Sequence, residues 1–207
     1  MRSARDIRLG DLATICRGFP THRAVPEGDI RVMSVAALRT ATPPRHFADR
    51  VDVAEEDLAR AGDVLVAIEG GTVGEALVLS EEIDEFLPSQ QVATLRVHDW
   101  TQVDPWYLGA WLTAEPGSEQ LRRLARGAGI QRIPVKDLAS LIVRVPPLAE
   151  QQEIATRLRA FETAIQSHRA VTLCLEHLRD HDLLVTFAEL EVPAQQGSKA
   201  HGRGANP

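Results

Sequence analysis

The sequence predicts an α+β protein with three parts. These are a compact mixed α/β domain over residues 1–148, a long coiled-coil-forming helix over 149–190 and a disordered tail over 191–207. Three observations carry this. Short β-branched and apolar runs broken by Gly and Pro fill the first part, as strands joined by turns do. Pro and Gly are then absent from 148 to 192, while Ile154, Leu158, Phe161 and Ile165 recur at spacings of four, three and four. That is the apolar seam of a coiled coil. The closing PAQQGSKAHGRGANP is polar and Gly-rich and has nothing to build a core with.

In chain order, strands are expected at Ile30–Val35, Asp63–Ile68, Glu75–Ser80 and Val92–Val97. Gly70, Gly71 and Gly74 punctuate two of them as a tight connection. Asp104 then caps a helix with Pro105 at its first position, and Tyr107, Ala110, Trp111 and Ala114 line one face. SEQLRRLAR reads as a short helix ending at Gly127, a C-cap, and IQRIPVKDLASLIVRVPP as strand, turn and strand. In the long helix His168 interrupts the seam, and Val171, Leu175 and Leu178 resume it after a three-residue offset. A helix of ~40 residues is ~60 Å long. A domain of ~150 residues has a radius of gyration of only ~15 Å. The seam therefore calls for a partner helix.

A length of 207 residues suits one domain plus an extension, and 44% hydrophobic content supports a real core. No run of eighteen apolar residues is present, so a membrane span is not expected. The N-terminal MRSARDIRLGDL lacks the apolar stretch of a secretory signal, and Cys16 and Cys174 are far apart. A reducing cytoplasm is the expected setting. The net charge of -6 argues mildly against nucleic acid, yet basic residues gather in RTATPPRH and EQLRRLARGAGIQR.

No Ser/His/Asp or paired-carboxylate arrangement can be defended. Cys174, His177 and His181 share one helical face, but three ligands with no fourth make a weak metal site. DPWY (Asp104–Tyr107) resembles the Asp-Pro-Pro-Tyr loop of amino-methyltransferases. Trp106 stands where the second proline would be, and the simpler reading is a capped helix start. IEGGTVGEA leads into a strand rather than a helix, so it lacks the helix N-terminus that holds phosphate. No cofactor is implied. Asp137 is read as a capping group for a helical turn. The best candidate for nucleic-acid contact is the basic segment with Arg122, Arg123, Arg126, Gln131 and Arg132 around a Gly-rich turn. Arg17, Arg23, Gln90 and Gln91 are looser candidates on other loops. Arg and Gln read guanine and adenine, or simply hold phosphate.

GAGIQRIPVKDLASLIVRVPPLAEQQEIATRLRAFETAI resembles the end of a target-recognition domain running into the spacer helix of type I restriction-modification specificity subunits. The matching parts are a Gly-containing loop (Gly127–Arg132), an Asp-Leu turn (Lys136–Leu138), an apolar strand (Leu141–Val145) and Pro-Pro-Leu-x-Glu-Gln (Pro146–Gln151). RLGDLATICRG, IRVMSVAAL and LARAGDVLVAIEGGTVGEALVL resemble the family's earlier segments, so the likeness covers roughly 6–190. The two prolines would end the domain rigidly, because Pro fixes φ and cannot continue a ladder.

The resemblance implies a non-catalytic DNA sequence-recognition subunit. It would guide a separate adenine-specific methyltransferase, with a restriction (translocase-endonuclease) subunit as a further partner in phage defence. The family carries two recognition domains and two helices in tandem, whereas this chain has one of each. A homodimer or a heterodimer of half-subunits would restore the arrangement, joined through Ile154, Leu158, Phe161, Ile165, Leu175 and Leu178. The competing reading from another class is an interaction or regulatory subunit of a phage-defence complex that no longer reads DNA. A stand-alone methyltransferase is disfavoured by the missing cofactor motif.

Overall fold

The computed structural model describes residues 3–40, 42–80 and 84–190, the last three without their side chains. The expected tail over 191–207 lies outside the described residues. The strands are β1 (Arg5–Arg8), β2 (Ala13–Arg17), β3 (Ile30–Met33), β4 (His46–Ala48), β5 (Val64–Ala67), β6 (Ala76–Val78), β7 (Phe86–Pro88), β8 (Val92–Val97) and β9 (Ile142–Val145). The helices are α1 (Leu9–Leu12), α2 (Val35–Thr40), α3 (Pro105–Thr113), α4 (Gly117–Leu124), α5 (Val135–Leu138) and α6 (Leu148–Leu190). The α+β architecture with a long C-terminal helix is the one the sequence predicts.

The central sheet has the order β2-β8-β5-β6, and all its pairs are antiparallel. β5 lies inside it and is buried along its whole length. Val64 and Val66 face one core with α3, while Leu65 and Ala67 face a second with Val35 and Phe86. A strand buried on both sides reads as an unbroken apolar run, which is why VLVA was legible. A second sheet, β4-β3-β7, combines an antiparallel and a parallel pair. β1 pairs with β9, closing the N-terminal segment onto the strand before the two prolines.

Several expectations need correction. The strand from Ile30 stops at Met33, and Val35 opens α2. There Ser34 Oγ accepts from the Ala37 N–H and starts a helix. α3 is buried on nearly every side rather than along one face. α4 ends at Leu124 with Ala125 as its C-cap, so Gly127 does not cap it and Arg126 lies beyond it. The strand expected from Ile130 is reduced to isolated bridges at Arg132. Asp137 caps nothing; its carboxylate lies 3.0 Å from Arg126 Nη2.

The chain divides into a compact unit through Glu162 and a second from Thr163. The first takes in the opening turns of α6, and Gln151 is the reason they are fixed. Its side chain is only 1% exposed. Oε1 accepts from the Asp104 N–H (2.9 Å), while Nε2 donates to the carbonyls of Gln102 (3.1 Å) and Pro146 (2.8 Å). Ala155 is buried and Leu158 packs against the same core, while Arg159 stacks over Trp106 at 5.3 Å. Leu158 is thus an anchor to its own domain rather than a free member of the seam. Ile154 and Phe161 are exposed. The second unit, described to Leu190, is helix. Ile165, Val171, Leu175, Leu178, Leu184 and Phe187 are all exposed on it. His168 turns its Nδ1 to the Ala164 carbonyl at 2.8 Å, within its own helix.

Candidate nucleic-acid interface

DPWY is spent on structure. Asp104 Oδ1 accepts from the N–H groups of Trp106 (2.8 Å) and Tyr107 (3.4 Å), and the Tyr107 hydroxyl donates to the Arg144 carbonyl. Trp106 and Tyr107 are buried, so neither ring offers a face to an incoming base. Among the described residues no three His, Cys, Asp or Glu side chains gather as a metal site. Likewise no described helix is long and apolar enough to cross a membrane.

The polar groups that do converge lie on three loops at one end of the central sheet. The first leaves β5 as Ile68-Glu69-Gly70-Gly71. Its backbone is tied on both sides: the Ile68 N–H donates to Gln91 O (2.8 Å) and the Gly70 N–H to Gln131 O (3.1 Å). The second is the turn at Gln90–Gln91 between β7 and β8. The third runs from Arg126 to Arg132, closed at its base by paired backbone bonds between those two residues, 2.9 and 2.8 Å.

Two glycine stretches far apart in sequence thus face each other across a concave cleft, lined by Gly70, Gly71 and Gly127 to Gln131. Gly70 (φ +98) and Gly127 (φ +123) have backbones that other residues rarely adopt. Gly71 and Gly129 have ordinary φ and open space where a Cβ would stand, so neither packing nor conformation demands glycine there. What they provide is bare backbone accessible to a ligand. At the tip Ile130 is 70% exposed, an uncovered apolar group within a polar rim.

Glu69 ties the rim together. Its side chain is 13% exposed; Oε2 accepts from Arg17 Nη2 at 3.0 Å and Oε1 from Arg132 Nη2 at 2.8 Å. The carboxylate raises the Arg132 pKa above its ordinary value, chiefly through this hydrogen bond. Arg17 Nε also donates to Gln90 O (3.0 Å), and Gln90 Oε1 accepts from the Thr21 N–H (3.2 Å). Arg23, in the same short turn as Thr21, lies over the Phe19 ring and donates to Asp52 O.

Arg17, Gln90, Gln91, Arg126, Gln131 and Arg132 therefore share one connected region, with Arg23 next to it. Arg122 and Arg123 stand apart on α4, paired with Glu115 (3.4 Å) and Glu119 (2.5 Å). Exposed pairs of this kind contribute only about 0–1 kcal/mol and exchange readily for phosphate. Sequence reasoning missed Glu69, Gly70, Gly71 and Ile130. IEGGTVGEA reads as a tight strand connection without a helix N-terminus for phosphate, and nothing in one sequence indicates that it faces GAGIQR.

A family model described as the type I restriction modification DNA specificity domain matches residues 4–177. Three solved structures have similar folds. The S subunit of a type I restriction-modification system from M. genitalium has a TM-score of 0.64 at 19% identity, over 86% of this chain and 44% of that one. A structure concerned with complex assembly and conformational transition of the type I R-M system has 0.56 at 21%, over 87% and 44%. The HsdS subunit from Thermoanaerobacter tengcongensis has 0.54 at 22%, over 82% and 40%. This chain spans less than half the length of each of them. No curated protein matches.

Proposed function

The chain belongs to the type I restriction-modification DNA specificity family, and from that premise we propose that it is the sequence-recognition subunit of such a system. It binds double-stranded DNA and directs a separate adenine-specific methyltransferase, without itself carrying out bond chemistry. A restriction subunit is a further partner. The observation that carries this is the cleft between two glycine loops, rimmed by Arg17, Arg126, Gln131 and Arg132. Exposed guanidinium and amide groups supply phosphate and base-edge contacts. Bare glycine backbone lets the duplex approach closely. Against a net charge of -6, Arg17, Arg126 and Arg132 exceed the two carboxylates they pair with, Glu69 and Asp137, by one positive charge.

Two copies pair through the exposed apolar side chains of α6, which supplies the second reader. The cytoplasm is where such a complex meets DNA.

Duplex binding by the chain assembled with its methyltransferase subunit, followed as salt is raised, tests the interface. Affinity is expected to fall linearly on a log–log scale, and Arg126→Ala should reduce the slope by about one. A slope unchanged by Arg126→Ala and by Gln131→Ala together with Arg132→Ala removes this cleft from the DNA.

A further inference from the structure

Within that interface, and resting on the DNA-recognition reading, we infer that Glu69 is a positioning residue that sets base discrimination by holding Arg17 and Arg132 as one rigid two-pronged reader. An acidic side chain in the middle of a DNA-facing surface opposes phosphate binding, so its presence needs a reason. The geometry supplies one. The carboxylate is largely withdrawn from solvent, and each oxygen is bonded to a different arginine. Those arginines come from distant parts of the chain, one closing β2 and the other closing the Arg126–Arg132 loop.

Glu69 is itself held by backbone. Its neighbours Ile68 and Gly70 are bonded to the Gln90–Gln91 turn and to the third loop, and Glu69 bridges to Arg132. It cannot shift without moving all three loops. Each arginine gives one Nη2 to Glu69 and remains about half exposed, 45% for Arg17 and 55% for Arg132. Both therefore keep donors for a base edge. A free arginine samples many rotamers and is content with any nearby phosphate. One tethered through its guanidinium has lost that freedom before the DNA arrives, so the remaining donors fit only a base in register.

Selection from a duplex pool with a randomised core, using the full chain with its methyltransferase subunit, tests this. The wild type is expected to enrich a defined motif. Glu69→Ala should leave the motif degenerate at the positions the two arginines read, with preference there falling about tenfold or more. Its binding to the unselected pool should be equal or tighter and its salt dependence steeper, since a negative charge is gone and two arginines are released to phosphate. Glu69→Gln, nearly the same size, has one acceptor oxygen and should lose preference at a subset of those positions. It also serves if Glu69→Ala fails to fold. A merely structural role predicts otherwise: weaker binding to selected and unselected duplexes alike, with an unaltered motif. That result, or an unaltered motif at wild-type affinity, overturns the inference while leaving the recognition reading intact. A wild type that enriches no motif overturns both.

Discussion

At the scale of single residues, the groups that matter most here are buried or half-buried polar ones whose partners are distant in sequence. Gln151 is the clearest. Its amide satisfies a backbone N–H and two carbonyls, so Gln151→Met keeps the volume but leaves those groups unpaired. The expected cost is about 2–4 kcal/mol, mostly for the stranded Asp104 N–H. A melting temperature lowered by roughly 5–12 °C, read by calorimetry, is the corresponding observation. A shift of under a degree would mean water replaces the amide. The motif around Gln151 was visible in the sequence, and the prolines before it explained the end of β9. The reason for Gln itself was not visible, because its partners Gln102 and Asp104 lie on another loop. Glu69 was hidden in the same way. A carboxylate among glycines looks like any turn residue until Arg17 and Arg132 arrive beside it. Arg126, Gln131 and Arg132 could be put forward from the sequence because they fall within seven consecutive residues.

At the scale of elements, periodicity gave a correct account where burial is simple and failed where it is divided. β8 matches its expected bounds, Val92–Val97, because it is an apolar strand inside a sheet. β1, β2, β4 and β7 were missed: the first three carry exposed positions that blur the period, and β7, though buried throughout, has only three residues. α6 was legible from its length and its lack of Gly and Pro, and its seam turns out to serve two ends. Ala155 joins the domain core and Leu158 packs against it, whereas Ile165, Leu175 and Leu178 are exposed among the described residues. Leu175 and Leu178 are each 61% exposed. Changing Ile165, Leu175 and Leu178 together to Glu would place charge at the helix–helix contact and should convert the protein to a monomer. The melting temperature of the domain should stay within a few degrees, because none of the three is a member of its core clusters. Light scattering checks the mass and calorimetry the domain. A wild type already monomeric at tens of micromolar would show that the seam serves another partner. Leu158→Glu should behave differently, lowering the melting temperature of the domain by setting a charge against its core, and so separates the two functions of one helix.

At the scale of the whole molecule, symmetry governs what two paired copies can read. A closed homodimer of one chain has a two-fold axis, so whatever one copy reads on one DNA strand its partner reads on the other. Duplex DNA repeats about every 34 Å, so two readers held a fixed distance apart meet the same groove only at a set number of base pairs. A helix of 43 residues rises about 65 Å, which bounds that separation at somewhat under two turns of duplex. The predicted target is therefore an interrupted palindrome, two copies of one short half-site with a spacer of fixed length. Methylation mapping in a host that expresses only this chain and its methyltransferase reads the site directly. Inserting a full heptad between His168 and Leu178 extends the helix by about 10 Å and should lengthen the spacer by about three base pairs without altering either half-site. Two unrelated half-sites would show that the functional reader pairs this chain with a different one. An unchanged spacer after the insertion would show that α6 does not set the distance between the readers.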